Sequence, residues 1–172
     1  MKLIVDDEIV ITEILKSDLP FYLKHLNNPS VTTFVNQIPH PYTESDFKGW
    51  LEFIAEEKEK YGKVTHFAIR KNGELIGGVG LTGMEGHVAT TGSWLCVEEQ
   101  GKGIGTKVKQ IFNAFLIKEF GLKRLEAYVF SGNTASEKCL EKCGFVLEGR
   151  LKKYYFHRGQ FYDKLIFGFV VD

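Results

Sequence analysis

The sequence has no net charge to offer a polyanion. Its 172 residues carry 22 Lys plus Arg against 22 Asp plus Glu, and a binder of nucleic-acid backbone needs a basic excess. No nucleic-acid partner is therefore expected. Long apolar runs are missing too: none reaches the roughly 18 residues that span a bilayer, so no membrane partner is expected. The start, MKLIVDDEIV, turns acidic at once and does not read as a signal peptide. The chain reads as cytoplasmic. Cysteine is scarce, at three residues, which fits that compartment. Cys139 and Cys143 lie four apart and can share a helix face, but no further ligands stand at metal-site spacing. They read as buried, reduced thiols, and no metal is expected. Internal repeats, linkers and low-complexity stretches are absent as well. What is present is an ordinary globular composition, 44% hydrophobic and 26% charged, consistent with one domain over residues 1–172.

Periodicity divides the chain. IVITEI is β-branched and reads as a strand. Ser17 and Asp18 are N-cap types ahead of a helix through FYLKHL, which Asn27, Asn28 and Pro29 stop. Thr43 and Asp46 have capping-box spacing, and Phe47, Trp50, Leu51 and Ile54 then fall on one helical face, which reads as core packing. From Val64 the period changes to that of strands. VTHFAIRKNGELIGGVGL places two of them around Asn72-Gly73, a strong hairpin signal. A third, HVATTGSWLCV, follows a turn at residues 83–86. After a glycine-rich loop, Val108, Ile111, Phe112, Phe115 and Leu116 repeat at helical spacing, and Gly121 ends that helix. LKRLEAYVF alternates, with Leu125, Ala127 and Val129 on one side. Asn133 caps a short helix that Gly144 closes. FVLEGRLKKYYF and QFYDKLIFGFVV flank a turn at Arg158 and Gly159. The order β-α-α-β-β-β-α-β-α-β-β predicts an α+β fold with helices around one mixed, mostly antiparallel sheet.

The stretch WLCVEEQGKGIGTKVKQIFNAF sets Gly101, Gly103 and Gly105 between a strand and a helix. Such a loop exposes free amides at a helix start and suits phosphate. No G-x-x-x-x-G-K-[ST] runs through it. A G-x-G-x-x-G needs a third glycine at Thr106 or Val108, and the hairpin-linked strands before it do not suit a dinucleotide fold. What remains is Gln100-x-x-Gly103-x-Gly105.

That motif resembles the acyl-CoA pyrophosphate loop of the GNAT superfamily of N-acetyltransferases. SGNTASEKCLEKCGFVLEGRL supplies a second match: Asn133, Ser136, Leu140, Glu141, Lys142, Gly144, Phe145, Glu148 and Gly149 resemble the N-x-x-S…L-E-K-x-G-F-x-x-E-G pattern of the branch that acetylates ribosomal-protein N-termini. LKSDLPFYLKHLNNPSVTTFV, PHPYTESDF and GQFYDK look like other parts of that branch, so the resemblance covers nearly the whole chain. It implies an N-acetyltransferase fold, acetyl-CoA as co-substrate and an amine acceptor, either a protein N-terminus or a small molecule, used by a monomer or homodimer. The rival from another class is a catalytically idle acyl-CoA-binding regulator.

The chemistry asks for these residue types in its own right. Amides of Gln100, Gly101, Lys102, Gly103, Ile104, Gly105 and Thr106, with a helix N-terminus worth about half a unit charge, suit a pyrophosphate; Lys102 and Lys107 stand at the rim. The resemblance implies that Trp94, Leu95 and Cys96 splay from the neighbouring strand at a bulge. Their backbone groups would pair with pantetheine amides, and one amide would stabilise the oxyanion, worth roughly 3 kcal/mol. It also implies a cofactor contact for Asn133. Many relatives carry a tyrosine acid where this chain has Leu140, so Ser136 is the expected substitute near the sulfur. Its other role is to satisfy helix amides. By that resemblance Glu126 sits on the strand facing the cofactor cleft and is the expected base, with His157 and Asp163 as rivals. The resemblance implies an acceptor pocket built from the His40 to Tyr42 loop, Trp50 and the hairpin of Tyr154, Tyr155, His157 and Tyr162, with Glu126, Glu148 and Asp163 attracting a cation.

Overall fold

A computed structural model describes residues 1–35 and 37–171. The strand expected in IVITEI forms as β2 (Ile9–Thr12), and a short strand that was not expected, β1 (Lys2–Ile4), precedes it. The acidic residues between them build the turn: the Asp6 carboxylate accepts from the amides of Glu8 and Ile9 at 3.0 and 2.9 Å. Helix α1 covers Leu19–Leu26. Asp18 precedes it but does not cap it. Its carboxylate pairs instead with the Arg70 guanidinium at 2.8 Å and accepts from the Leu15 amide. Pro29, expected as a stop, also starts a four-residue helix α2 (Pro29–Thr32), capped by Asn28. Proline suits a first helical position because its missing N–H has no intrahelical partner there. Helix α3 (Glu44–Tyr61) opens with the expected Thr43–Asp46 capping box.

Strands β3 (His66–Lys71) and β4 (Glu74–Glu85) flank the Asn72-Gly73 turn, and both turn residues have positive φ as a type I′ hairpin requires. β4 runs through Gly83, so the next turn falls later than expected, before β5 (Val88–Leu95). Then come a 3₁₀ turn (Val97–Glu99), α4 (Ile104–Phe120), β6 (Arg124–Phe130), α5 (Thr134–Lys142), β7 (Val146–His157) and β8 (Gln160–Val170). The eight strands form one sheet in the order β1-β2-β3-β4-β5-β6-β8-β7. β5 with β6 is parallel, and β6–β8 and β7–β8 are antiparallel. No helix among the described residues is long and apolar enough to cross a membrane.

The chain divides into two compact units, Met1–Gly80 with Trp94–Glu99, and Leu81–Ser93 with Gln100–Asp172. In the first, Tyr22, Leu26, Tyr42, Phe47 and Ala68 form a buried cluster on which Trp50, Leu51 and Trp94 pack. The core reading of the α3 face therefore holds for Phe47, Trp50 and Leu51, while Ile54 is only half-buried. In the second, Val108, Phe112 and Leu116 of α4 and Leu125, Ala127 and Val129 of β6 are buried, as their spacing predicts. Ile111 is the exception and faces solvent. The buried stripe of α4 turns instead toward Lys109 and Asn113, whose burial periodicity did not suggest.

Candidate active site

The glycine loop leads into α4 through left-handed backbone. Gly101 and Gly103 have φ of 73° and 77°, and Gly103 is the N-cap residue. That region favours glycine. A Cβ built on either would meet nothing within 4 Å. The glycines thus supply a backbone turn and leave open space outside it, where a ligand can approach. Lys107 N–H is the first amide to find an intrahelical acceptor, Gly103 O at 3.3 Å. The amides before it, at Ile104, Gly105 and Thr106, open the helix without one, as in every α-helix. Lys102 and Lys107 are exposed at the rim.

Helix α5 lies against these first turns. Thr106 Oγ1 reaches Cys139 Sγ at 3.6 Å, Cys143 Sγ reaches Thr106 O at 3.6 Å, and Gln110 Nε2 donates to Lys142 O at 3.4 Å. Asn133 caps α5, its side-chain oxygen accepting from Ser136 N at 3.3 Å. Ser136 sits half-buried in the first turn, one turn before Cys139. One unit thus brings together the loop, the α4 N-terminus, Asn133 and Ser136. The two thiols interact, and a hydrogen bond from Cys143 makes Cys139 the easier of the pair to ionise. Lys109, buried beneath, donates to Thr91 Oγ1 at 3.1 Å, and burial depresses its pKa.

β5 and β6 pair only from Val88↔Arg124 to Thr90↔Glu126, although both strands continue. In the first unit the residues beyond that point have their own contacts. The Trp94 indole packs on Tyr22 and Phe21 at ring separations of 5.6 and 6.0 Å. A Cβ on Gly77 would collide with the Trp94 carbonyl oxygen, so that glycine serves close approach. Leu95 is half-buried. The Cys96 N–H already donates to Ile76 O at 2.9 Å, and its carbonyl accepts from Glu99 N. Cys96, expected to meet pantetheine, therefore has its amide committed within the protein.

Glu126 and Glu148 flank the guanidinium of Arg124. Arg124 Nε donates to Glu126 at 2.8 Å, and its terminal nitrogens reach both oxygens of Glu148. Tyr128 OH donates to the other Glu126 oxygen at 2.7 Å. The Tyr128 and Arg124 hydrogen bonds hold the Glu126 carboxyl below its usual range despite partial burial. Asp163 is engaged as well: Arg150 Nε at 2.6 Å and the Lys153 amide at 2.8 Å bind its carboxylate, and they lower its pKa. Lys153 has a φ of 51° where the β7–β8 register slips between Leu151 and Tyr155. Asp163 therefore fastens a bulge. All three acidic groups expected to attract a cation carry an arginine partner. Alternation along β6 puts Arg124 and Tyr128 on the Glu126 face, a signal present in the sequence.

The aromatic residues expected around an acceptor sort by unit. Tyr42 is buried, its amide and carbonyl both bonded to the Asn27 side chain, and Trp50 stacks on Phe53 and meets His66 edge-on. In the second unit Phe130 gathers Tyr155, Tyr162 and His157 at ring separations of 4.1, 5.3 and 5.9 Å. The Nε2 atom of His157 is buried without a hydrogen-bond partner. His40 is exposed.

Known proteins share this architecture. The ribosomal alpha-N-protein acetyltransferase RimL in complex with coenzyme A superposes with a TM-score of 0.90 at 17% identity, covering 100% of this chain and 99% of that one. A microcin C7 self-immunity acetyltransferase in complex with acetyl-CoA and AMP gives 0.85 at 22%, over 97% and 94%. In sequence, the uncharacterised N-acetyltransferase YoaA of Bacillus subtilis strain 168 is 26% identical over 166 residues, 95% of this chain and 94% of its own. The SPbeta prophage-derived uncharacterised N-acetyltransferase YokL of the same strain is 26% identical over 136 residues, 78% and 75%. Residues 8–146 match the acetyltransferase (GNAT) domain. The chain belongs to the GNAT family and is an acetyl-CoA-dependent N-acetyltransferase.

Proposed function

We propose that the protein, as a single N-acetyltransferase domain over residues 1–172, transfers the acetyl group of acetyl-CoA directly to a primary amine within a ternary complex. The acceptor is a protein N-terminus or a small molecule. The carrying observation is the loop of Gly101 and Gly103, left-handed and open outward, at the start of α4 with α5 docked beside it. The amides of residues 100–106 hold the pyrophosphate. The backbone of Trp94 and Leu95 serves the pantetheine arm. Asn133 uses its oxygen for Ser136 N, which leaves its NH₂ group to the cofactor. The amine lone pair attacks the thioester carbonyl carbon, a C–N bond forms, and the C–S bond breaks with its electron pair on sulfur. Ser136 donates a hydrogen bond to that sulfur, and the amine's surplus proton leaves through water.

Glu126 has two candidate tasks, stripping the proton or holding the cation. A direct transfer from an ammonium of pKa about 10 to a carboxyl of about 4.3 is uphill by roughly 8 kcal/mol. Release to water at pH 7 costs about 4 kcal/mol for the same amine, and about 1 kcal/mol for an α-amine. The Arg124 and Tyr128 bonds weaken Glu126 further as a base. Holding the ammonium is thus the task that suits it. The test is turnover of acetyl-CoA against a panel of N-terminal peptides, polyamines and amino sugars, read as thiol release. Release that depends on one amine class supports the reading and names the acceptor; hydrolysis alone, with no acetylated amine in the mass spectrum, overturns it. Ser136→Ala is expected to lower kcat about 10²-fold with little change in acetyl-CoA affinity, and unchanged kinetics would return Ser136 to a structural role.

A further inference from the structure

We propose that His25, Cys96 and Glu98 form a site for a divalent metal ion of the zinc class, with one coordination position left for water. All three residues belong to the first compact unit. His25 sits in the last turn of α1, 4% exposed, and its Nδ1 is buried with no hydrogen-bond partner. Cys96, also 4% exposed, follows β5. Glu98 stands on the Val97–Glu99 turn, its carboxylate 3.9 Å from Nδ1, too far for a hydrogen bond. The three donor atoms lie within 4.8 Å of one another, the one such cluster among the described residues.

The chemistry of the donors points to the metal. Imidazole nitrogen, thiolate sulfur and carboxylate oxygen are zinc's ligand types. Bonds of about 2.0 to 2.3 Å in a tetrahedron place donors about 3.5 Å apart. The Glu98 side chain is 63% exposed and so can adjust toward its two buried partners. A thiolate and a carboxylate neutralise a divalent ion. A buried imidazole nitrogen without a partner has lost its hydration and gained nothing in return, and a metal relieves it.

The other charges in this cleft of about 540 Å³ are accounted for. Asp18 pairs with Arg70 and Glu99 with Lys71. Lys24 next to His25 opposes a cation, and Glu74 favours one. Periodicity could not reveal the site, because His25 stands about seventy residues from its partners in sequence.

The test is a cobalt titration of chelator-treated protein, followed by zinc competition. One equivalent of Co²⁺ is expected to give a thiolate-to-cobalt charge-transfer band with tetrahedral ligand-field absorption, which Zn²⁺ abolishes. Cys96→Ser is expected to remove the charge-transfer band, and the Cys139→Ser/Cys143→Ser double variant to keep it. Glu98→Gln alters an exposed side chain, so its fold is secure, and it is expected to weaken cobalt at least tenfold. Absence of a stoichiometric thiolate band, its loss in the Cys139/Cys143 variant, or unchanged affinity in Glu98→Gln would each overturn the site. None of these readouts depends on acetyl transfer.

Discussion

His66 buries its imidazole at 5% exposure beside the Thr65 hydroxyl, 2.9 Å from Nδ1. Burial lowers its pKa to about 4. Above pH 6.5 both folded and unfolded states hold it neutral. As pH falls below 6.5 the unfolded chain takes up a proton that the folded chain refuses until about pH 4, so stability drops across that window, by roughly 3 kcal/mol. His66→Gln removes this titration. Denaturant unfolding of the variant at pH 7 and pH 4.5 is expected to show a flatter loss than wild type; an equal slope would assign the acid sensitivity elsewhere, first to His25, which burial also depresses. Glu126 gives a second test at this scale. As a holder of the ammonium, Glu126→Gln raises KM for the amine about tenfold near neutral pH and leaves kcat nearly intact. A base would lose kcat instead, with the deficit shrinking at high pH as the free amine grows. At this scale the sequence was least legible. It named Glu126, Glu148 and Asp163 as acidic groups; alternation along β6 sets Arg124 beside Glu126, but Arg124 reaches Glu148, and Arg150 reaches Asp163, from a different strand. Asp18 looked like a cap, and a partner 52 positions away took its carboxylate.

The elements were readable where a local rule decides and shifted where tertiary context does. The Thr43 capping box, the Asn72-Gly73 and Arg158-Gly159 turns and the Gly121 and Gly144 helix ends all fall where their residues direct. β1 was missed because three residues, KLI, carry too little period to register alone; pairing with β2 makes them a strand. The end of β4 moved past Gly83 because that glycine continues the strand in ordinary backbone, while Gly86, at a φ of 56°, makes the turn. The start of α4 offers a clean experiment. Gly101 and Gly103 need left-handed φ, so a side chain at either disturbs the turn itself. Gly105 does not share that conformation and lies inside the helix, where valine costs no more than glycine. Gly105→Val is therefore expected to fold with wild-type circular dichroism and to weaken acetyl-CoA by at least tenfold in calorimetry. Unchanged affinity would remove the α4 N-terminus from the binding site.

Across the whole molecule, connectivity explains why one sheet can serve a cofactor. The pairs β1–β2, β2–β3, β3–β4, β6–β8 and β7–β8 are antiparallel, and the parallel pair β5 with β6 needs α4 as its crossover. The pairing stops after three residues, at Thr90↔Glu126, while β5 runs on toward the glycine loop. A strand-helix-strand order is compatible with this crossover but does not fix it, and where the pairing stops depends on strand twist and side-chain packing that no local motif encodes. A ligand that binds only this folded arrangement stabilises it by mass action, about 2.7 kcal/mol at a hundredfold excess over Kd. For a chain of this size each kcal/mol raises Tm by roughly 2–4 °C, so acetyl-CoA at that excess is expected to raise Tm by about 5–10 °C. Free CoA is expected to give a comparable rise, because the pyrophosphate and pantetheine contacts do not involve the acetyl group. The amine acceptor alone, lacking a pyrophosphate, is expected to give far less. Gly105→Val should start from nearly the wild-type Tm and lose most of the CoA-dependent rise at the same concentration. Differential scanning calorimetry over a CoA series separates the outcomes: a Tm that climbs with the logarithm of CoA in wild type and stays flat in the variant places the affinity at the α4 start, whereas parallel slopes in the two proteins would move the cofactor to another part of the chain.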